Sequence, residues 1–496
     1  MLLLKIDPDS REAVYRQIAR QVIELVESDS LGEGEILPPS RELARSLAVS
    51  RFTVTQAYRE LWAKGYVDAR PGSYTRVRRR PKLARTQGGG EAPRPGLELR
   101  YSSGARALFD AGPIAAFPVG REGGEGLVDF TSLSLDPRLF PVEELKACFS
   151  RALTRRNASL LNYADPAGYG PLREYVASRM RAHSVAAEPE EILITHGSLQ
   201  GLELAASLFV DPGRTVAIEQ PTFSSVMPLL LLRGARLGLV PMRPDGMDLD
   251  ALEGLMERRS GRPDEVSLVY SIPTFHNPTG ATSPQPHRER LLGLCERFRA
   301  ALAEDSFQEE ITYFGKAVLP IKSMDSRGIV LYLGSFSKVL FPGVRIGWIV
   351  ADRDRVERLA LVKRSQDISC SPLMQAALHR LCESGAYEQH LRRVNREYAR
   401  RMAVATEALR RNLPPGRADF EAPSGGYLFW IALRDIDIGP AALQRALRAQ
   451  GVAAADGGLF YASPPAERHI RLSISSLDEA EIEEGARRLG AALRSL

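Results

Sequence analysis

From about residue 127 to the end of the chain, short β-rich apolar runs alternate with amphipathic segments, and no fixed-period repeat is present. That alternation is the pattern of an α/β domain, with strands buried among helices and sites built at strand ends. At 496 residues the chain is too long for one core, so a second domain is expected. A boundary is visible over residues 81–126, where "TQGGGEAPRPG" and "PVGREGGEG" are rich in Gly and Pro and read as a flexible, basic linker. The expected organisation is a first domain over 1–80, the linker, and the α/β domain over 127–496.

Composition narrows the classes further. Hydrophobic residues make up 44% and charged residues 26%, as in an ordinary soluble globular protein. A formal net charge of +5 spread over this length does not identify an anionic partner; only local clustering would. Cys148, Cys295, Cys370 and Cys382 show no CxxC or Cys/His spacing, so they read as reduced core thiols, with no metal site expected. "MLLLKIDPDS" has no basic start, and the longest apolar run, "VMPLLLLRGARLGLV", carries Pro and two Arg. A cytoplasmic protein without signal peptide or membrane span is therefore expected.

In the first zone Val14, Ile18, Val22 and Leu25 make one apolar helical face. "LPPSRELARSLAVSRFTVTQAYRELWAKGY" then reads as two short helices around the turn "AVS", with Ser40 capping the first and Ser50 the second. Leu43 and Leu47 face inward, as do Val54, Ala57 or Tyr58, and Leu61; Gly65 ends the second helix. The opposite face carries Arg51, Thr53 and Gln56, side chains that reach phosphates and base edges. "YVDARPGSYTRVRRR" gives two strands around a Pro-Gly turn, a wing ending in a basic cluster. A three-helix interaction domain with a solvated Arg-rich edge fits the same pattern.

"ILPPSRELARSLAVSRFTVTQAYRELWAKGYVDARPG" resembles the winged helix-turn-helix of GntR regulators almost position by position. The resemblance implies binding to double-stranded operator DNA, with Arg41, Arg51 and Thr53 as DNA contacts and Gly72 at the wing tip. Tyr74 departs from it, standing where the usual wing has a second glycine.

The larger domain offers the parts that a cofactor with an aldehyde, a pyridine ring and a phosphate needs. In "LYLGSFSKVLFPGVRIGW" an apolar run leads to Lys338, an amine that burial would make nucleophilic, with Ser335, Ser337 and Arg345 able to hold a phosphate. Asp305 in "AALAEDSFQEE" could face a pyridine nitrogen, and Asn277 in "VYSIPTFHNPTGATS" could face a ring hydroxyl. Phe223 in "VAIEQPTFSSV" offers a stacking ring, and the turn into "GSLQGLELAASLF" presents free backbone N–H groups at Ser198 and Leu199. Singly, each also fits a loop charge, a turn, a helix start or a core aromatic.

Together, and in this order, these segments resemble the fold-type I aminotransferase domain from about residue 127 onward. The order of domains resembles the MocR/GabR-type regulators. The implied fold is a winged helix-turn-helix followed by an α/β domain with large and small subdomains. The resemblance implies that Lys338 forms an aldimine with pyridoxal 5′-phosphate, Asp305 pairs with the ring nitrogen, Phe223 stacks and Asn277 bonds the ring hydroxyl. Ser198, Leu199, Ser335, Ser337 and Arg345 would hold the phosphate, and Tyr163 would reach the neighbouring subunit's phosphate in a head-to-tail homodimer. Arg471 in "HIRLSISSL" matches the arginine that binds an amino acid's carboxylate, which allows a small amino-acid effector.

Two positions depart from that pattern. Leu133 and Leu135 stand where Gly and Pro are common, on the side a small amino acid would enter. Phe307 in "EDSF" stands where a tyrosine would donate to the ring hydroxyl, leaving Asn277 as the partner. The expected function is regulation of transcription by sensing the cofactor or its amino-acid adduct, in vitamin B6 or amino-acid metabolism. The alternatives are an aminotransferase with an accessory DNA-binding domain and a cofactor-free dimerising scaffold. Because Phe307 cannot donate, the aldimine should titrate at a higher pH than in a typical aminotransferase; a pH series of the visible spectrum measures this, and an ordinary midpoint refutes it.

Overall fold

The computed structural model describes residues 4–68, 74–78, 100–111, 126–313, 318–436 and 438–496. The chain divides into two units, Met1–Leu99 and Arg100–Leu496. In the first, the helices Val14–Glu27, Ser40–Ser46 and Arg51–Ala63 precede two antiparallel two-residue strands, with Val67 opposite Val77 and Asp68 opposite Arg76. Ile18, Val22, Leu43, Val54, Ala57, Tyr58 and Leu61 share one core with Val67 and Val77. Ser50 caps the third helix, its hydroxyl accepting from the Thr53 amide at 3.0 Å. Ser40 is not a cap: Pro39 is extended, with ψ 139, and takes the capping position, so Ser40 becomes the first helical residue. Gly72, expected at the wing tip, lies outside the described residues.

The larger unit is built on an eight-stranded sheet. Its order is Ile192–Thr195, Gly347–Val350, Val330–Ser335, Ala301–Asp305, Val266–Ser271, Thr215–Gln220, Arg236–Arg243 and Gly246–Met247. The five strands from Val330–Ser335 to Arg236–Arg243 are parallel; Gly347–Val350 runs against both its neighbours. Such strands are covered on both faces, which is why they read as continuous apolar runs. In Ala301–Asp305, Ala301 and Ala303 enter one core with helix Ser198–Phe209, while Leu302 enters another with helices Leu249–Arg259 and Gln285–Phe298.

A smaller antiparallel sheet, ordered Ala418–Phe420, Leu428–Leu433, Arg468–Ser473 and Ala455–Asp456, packs with helices Ala386–Asn412 and Glu479–Arg494. The strand Arg468–Ser473 carries Arg471. All four cysteines are free and buried. No helix among the described residues is long and apolar enough to cross a membrane.

Part of the expected linker is structured. Ser103–Asp110 is a helix, capped by Ser102 through the Ala105 amide at 3.2 Å, and it packs on helix Val226–Leu232. The approach is closest at Gly104, where a Cβ would lie 2.1 Å from the Leu232 carbonyl oxygen. Gly-rich surroundings hide this helix in the sequence, because the glycine that reads as a linker residue is the one that permits contact. Gly104→Val should lift the helix, at about 1–3 kcal/mol of overpacking. Limited proteolysis should then cut within residues 100–111, where the parent protein resists; equal resistance would refute the docking.

Candidate functional site

The carboxyl ends of the parallel strands share one edge of the sheet, the place where α/β folds build sites. Along that edge lie Asp305, which ends its own strand, Lys338 after Val330–Ser335, Asn277 after Val266–Ser271, and Phe223 after Thr215–Gln220.

The Lys338 amine donates to the Leu133 carbonyl at 3.3 Å. Burial, and then the cations Arg471 and Arg345, push its pKa down to about 8, while Asp305 opposes them. Asp305 lies in the strand next to that of Lys338, and its Oδ2 accepts from the Tyr270 hydroxyl at 2.7 Å. Its Oδ1 has no hydrogen-bond partner among the described residues. Burial pushes the Asp305 carboxyl up to about 7, with the Tyr270 bond acting against it.

Arg471 is fully buried and reaches two acceptors: the Thr131 carbonyl at 2.8 Å and Asn277 Oδ1 at 3.5 Å. Its guanidinium lies 5.0 Å from the centre of the Phe460 ring, and its Nε has no partner among the described residues. Burial lowers its pKa to about 10. The turn bearing Asn277 is fixed from behind. His276 exchanges backbone bonds with Gly280 and Ala281, and its Nε2 is 3.1 Å from the buried Glu219 carboxylate.

Beside the lysine several polar groups and one helix start converge. Register places Ser335 opposite Gly347 and Gly347 opposite Thr195, which brings the start of helix Ser198–Phe209 next to Ser335. Gly197 precedes that helix at φ 101, and Arg345 donates to the His196 carbonyl. A Cβ on Gly347 would lie 2.7 Å from the Gly197 Cα, so the three strand ends meet only because that carbon is missing. Ser337 donates its amide to Ser335 Oγ at 3.1 Å, while its own hydroxyl has no partner among the described residues.

Comparison with known proteins gives the family of each domain. The model for "Aminotransferase class I and II" matches residues 134–489, and that for "Bacterial regulatory proteins, gntR family" matches residues 14–77. The HTH-type transcriptional regulator TauR of Rhodobacter capsulatus is 31% identical over 98% of each chain. The probable rhizopine catabolism regulatory protein MocR of Rhizobium meliloti is 30% identical over 100% of this chain and 96% of its own. The chain belongs to the MocR- and TauR-type HTH regulators. Enzymes are similar too. LysN, the alpha-aminoadipate aminotransferase of Thermus thermophilus, solved with N-(5'-phosphopyridoxyl)-L-leucine, is 34% identical with a TM-score of 0.69, covering 79% of this chain and 95% of its own.

Other residues of the regulator lie further out. Tyr163 is 76% exposed. Leu199 is exposed, while Phe223 is half-buried against the core that holds Tyr270 and Phe307. The expected pair of crowding leucines is reduced to one. Ser475 accepts from the Asp136 amide and donates to the Ser132 or Ser134 carbonyl, a set of contacts that turns Leu135 into the core at 1% exposure. Leu133 stays half-buried, with its carbonyl on the lysine. In the first unit Arg41 and Arg51 are exposed, but the Thr53 hydroxyl is 2.8 Å from Ser50 Oγ, engaged in the cap.

Sequence reading missed Tyr270 and the carbonyls of Thr131 and Leu133. The tyrosine sits mid-strand as an apparent core aromatic, and backbone acceptors leave no trace in residue identity. Because the neutral amine is the nucleophile, reductive alkylation of Lys338 in ligand-free protein should rise with pH and level off above about 8. A short unstructured lysine peptide in the same mixture should rise about two units later, at the ordinary lysine value; mass spectrometry compares the two, and coincident profiles refute the shift.

Proposed function

We propose that the regulator binds pyridoxal 5′-phosphate at Lys338 and that occupancy of this site changes its affinity for operator DNA. The observation that carries the reading is a set of buried polar atoms without hydrogen-bond partners among the described residues around one depressed lysine: Asp305 Oδ1, Ser337 Oγ and Arg471 Nε. Buried polar atoms are nearly always paired, so these three ask for a ligand with matching groups. The cofactor has them. Asp305 would face its ring nitrogen, Asn277 its ring hydroxyl and Phe223 its ring. Ser335, Ser337, Arg345 and the amides of Ser198 and Leu199 would hold its phosphate. Bound there, it supplies an electrophilic carbon that an amine can attack.

Arg471 then takes the carboxylate of an amino-acid effector, and Tyr163 of a second copy completes the phosphate site in a head-to-tail homodimer. Genes of vitamin B6 or amino-acid metabolism suit a sensor of this chemistry. A ligand alters DNA binding only by favouring one state over another, with couplings of about 1–3 kcal/mol being usual. A second reading, a working aminotransferase, is favoured by the joint presence of Lys338, Asp305, Asn277 and Arg471. It draws support from 36% identity to the 2-aminoadipate transaminase of Thermus thermophilus.

The test is the visible spectrum with pyridoxal phosphate beside Lys338→Ala, followed by operator affinity with and without the cofactor. A band that needs the lysine, and a change of about fivefold or more in affinity, is the expected outcome. Affinity indifferent to the cofactor overturns the sensor, and multiple-turnover transamination with an amino acid favours the enzyme.

A further inference from the structure

Helix Arg51–Ala63 buries Val54, Ala57, Tyr58 and Leu61. Its opposite side presents Phe52, Gln56 and Arg59, spaced i, i+4 and i+7 along one stripe. Phe52 is 69% exposed in the first turn of this helix. The phenyl ring adds nothing to the core, and leaving it in water forgoes the gain of burying it. The exposed charges of the second and third helices are mostly cationic. Arg41, Arg45, Arg51 and Arg59 are exposed on the second and third helices, with Glu42 and the half-buried Glu60 as the carboxylates of those helices.

An apolar ring among guanidinium groups suits a polyanion that carries apolar points. The major groove of DNA is such a surface, and the C5-methyl group of thymine is the apolar group it displays. Thr53, the other uncharged side chain of the first turn outside the core, is half-buried and engaged with Ser50 Oγ at 2.8 Å. We propose that Phe52 reads one thymine in each operator half-site through contact with its C5-methyl group. This rests on the DNA-binding reading above and adds to it a specificity residue and the base it selects.

The experiment uses the full chain. Duplexes are enriched from a random library by the parent protein, and each thymine of the enriched sequence is replaced in turn by deoxyuridine, which lacks only the methyl group. Affinity of the parent protein should fall about fourfold, the factor for one buried methyl-sized group, at one position per half-site. Phe52→Ala should bind thymine and deoxyuridine equally at that position while keeping its responses elsewhere. Because Phe52 is exposed, the variant should keep the parent thermal midpoint, and Phe52→Leu should restore part of the discrimination.

Deoxyuridine without effect on the parent protein at every position overturns the proposal. So does a Phe52→Ala variant that still loses affinity at the same base. A changed molecular mass for Phe52→Ala in light scattering, with unaltered base preference, would make the ring a protein contact instead. If the parent protein enriches no duplex, the DNA-binding reading fails as well, an outcome distinct from the loss of the thymine contact alone.

Discussion

Two cations, Lys338 and Arg471, are held close together in a region where water does little to relieve them. Burial and the neighbouring guanidinium groups bring the lysine to about 8, and burial brings the arginine to about 10. The carboxylates acting on them are few: Asp305 on the lysine and Asp129 on the arginine. Asp305 is itself raised to about 7 and is ionised for only part of the time near neutrality. The carbonyl oxygens of Thr131 and Leu133 and Asn277 Oδ1 accept hydrogen bonds from the two cations. Such an arrangement is short of negative charge, and an anionic ligand relieves it at once.

Two sheets make that arrangement tolerable. Lys338 follows a strand of the eight-stranded sheet and Arg471 lies within a strand of the smaller one, so the spacing of the two charges depends on both sheets holding their places. The second layer continues the same logic with neutral and paired groups. Tyr270 steadies Asp305, and the Glu219 carboxylate accepts the Ile272 amide and the Ser271 hydroxyl while facing His276 beside Asn277. Sites strained in this way commonly lower the stability of the empty protein in exchange for affinity.

Much of this is legible in the sequence. Strands buried on both faces announce themselves as apolar runs, and residues just beyond such runs are the ones an α/β fold places at its working edge. Lys338, Asp305 and Asn277 are of that kind. What escaped had one of three physical causes. Tyr270 is a polar tip on an apolar body, indistinguishable in sequence from a packing residue. The segment from Thr131 to Leu135 acts through its backbone, and which leucine turns inward is set by contacts with the distant Ser475. In the first unit, Phe52 reads in sequence like a core aromatic, although it lies on the same stripe as Gln56.

Gly347 carries a lesson about which substitutions this fold can accept. Its backbone angle is ordinary, and nothing about local conformation demands glycine there; the demand comes from the Gly334 oxygen at 2.6 Å and the Gly197 Cα at 2.7 Å from where a Cβ would stand. The spacing between Ser335 and the helix start beside it is thus set by the absence of a single carbon in the middle strand. Even alanine at this position would act as a wedge, driving Ser335 and the helix start apart. For anyone redesigning this edge of the sheet, that distance is a fixed dimension, and change must be sought around it.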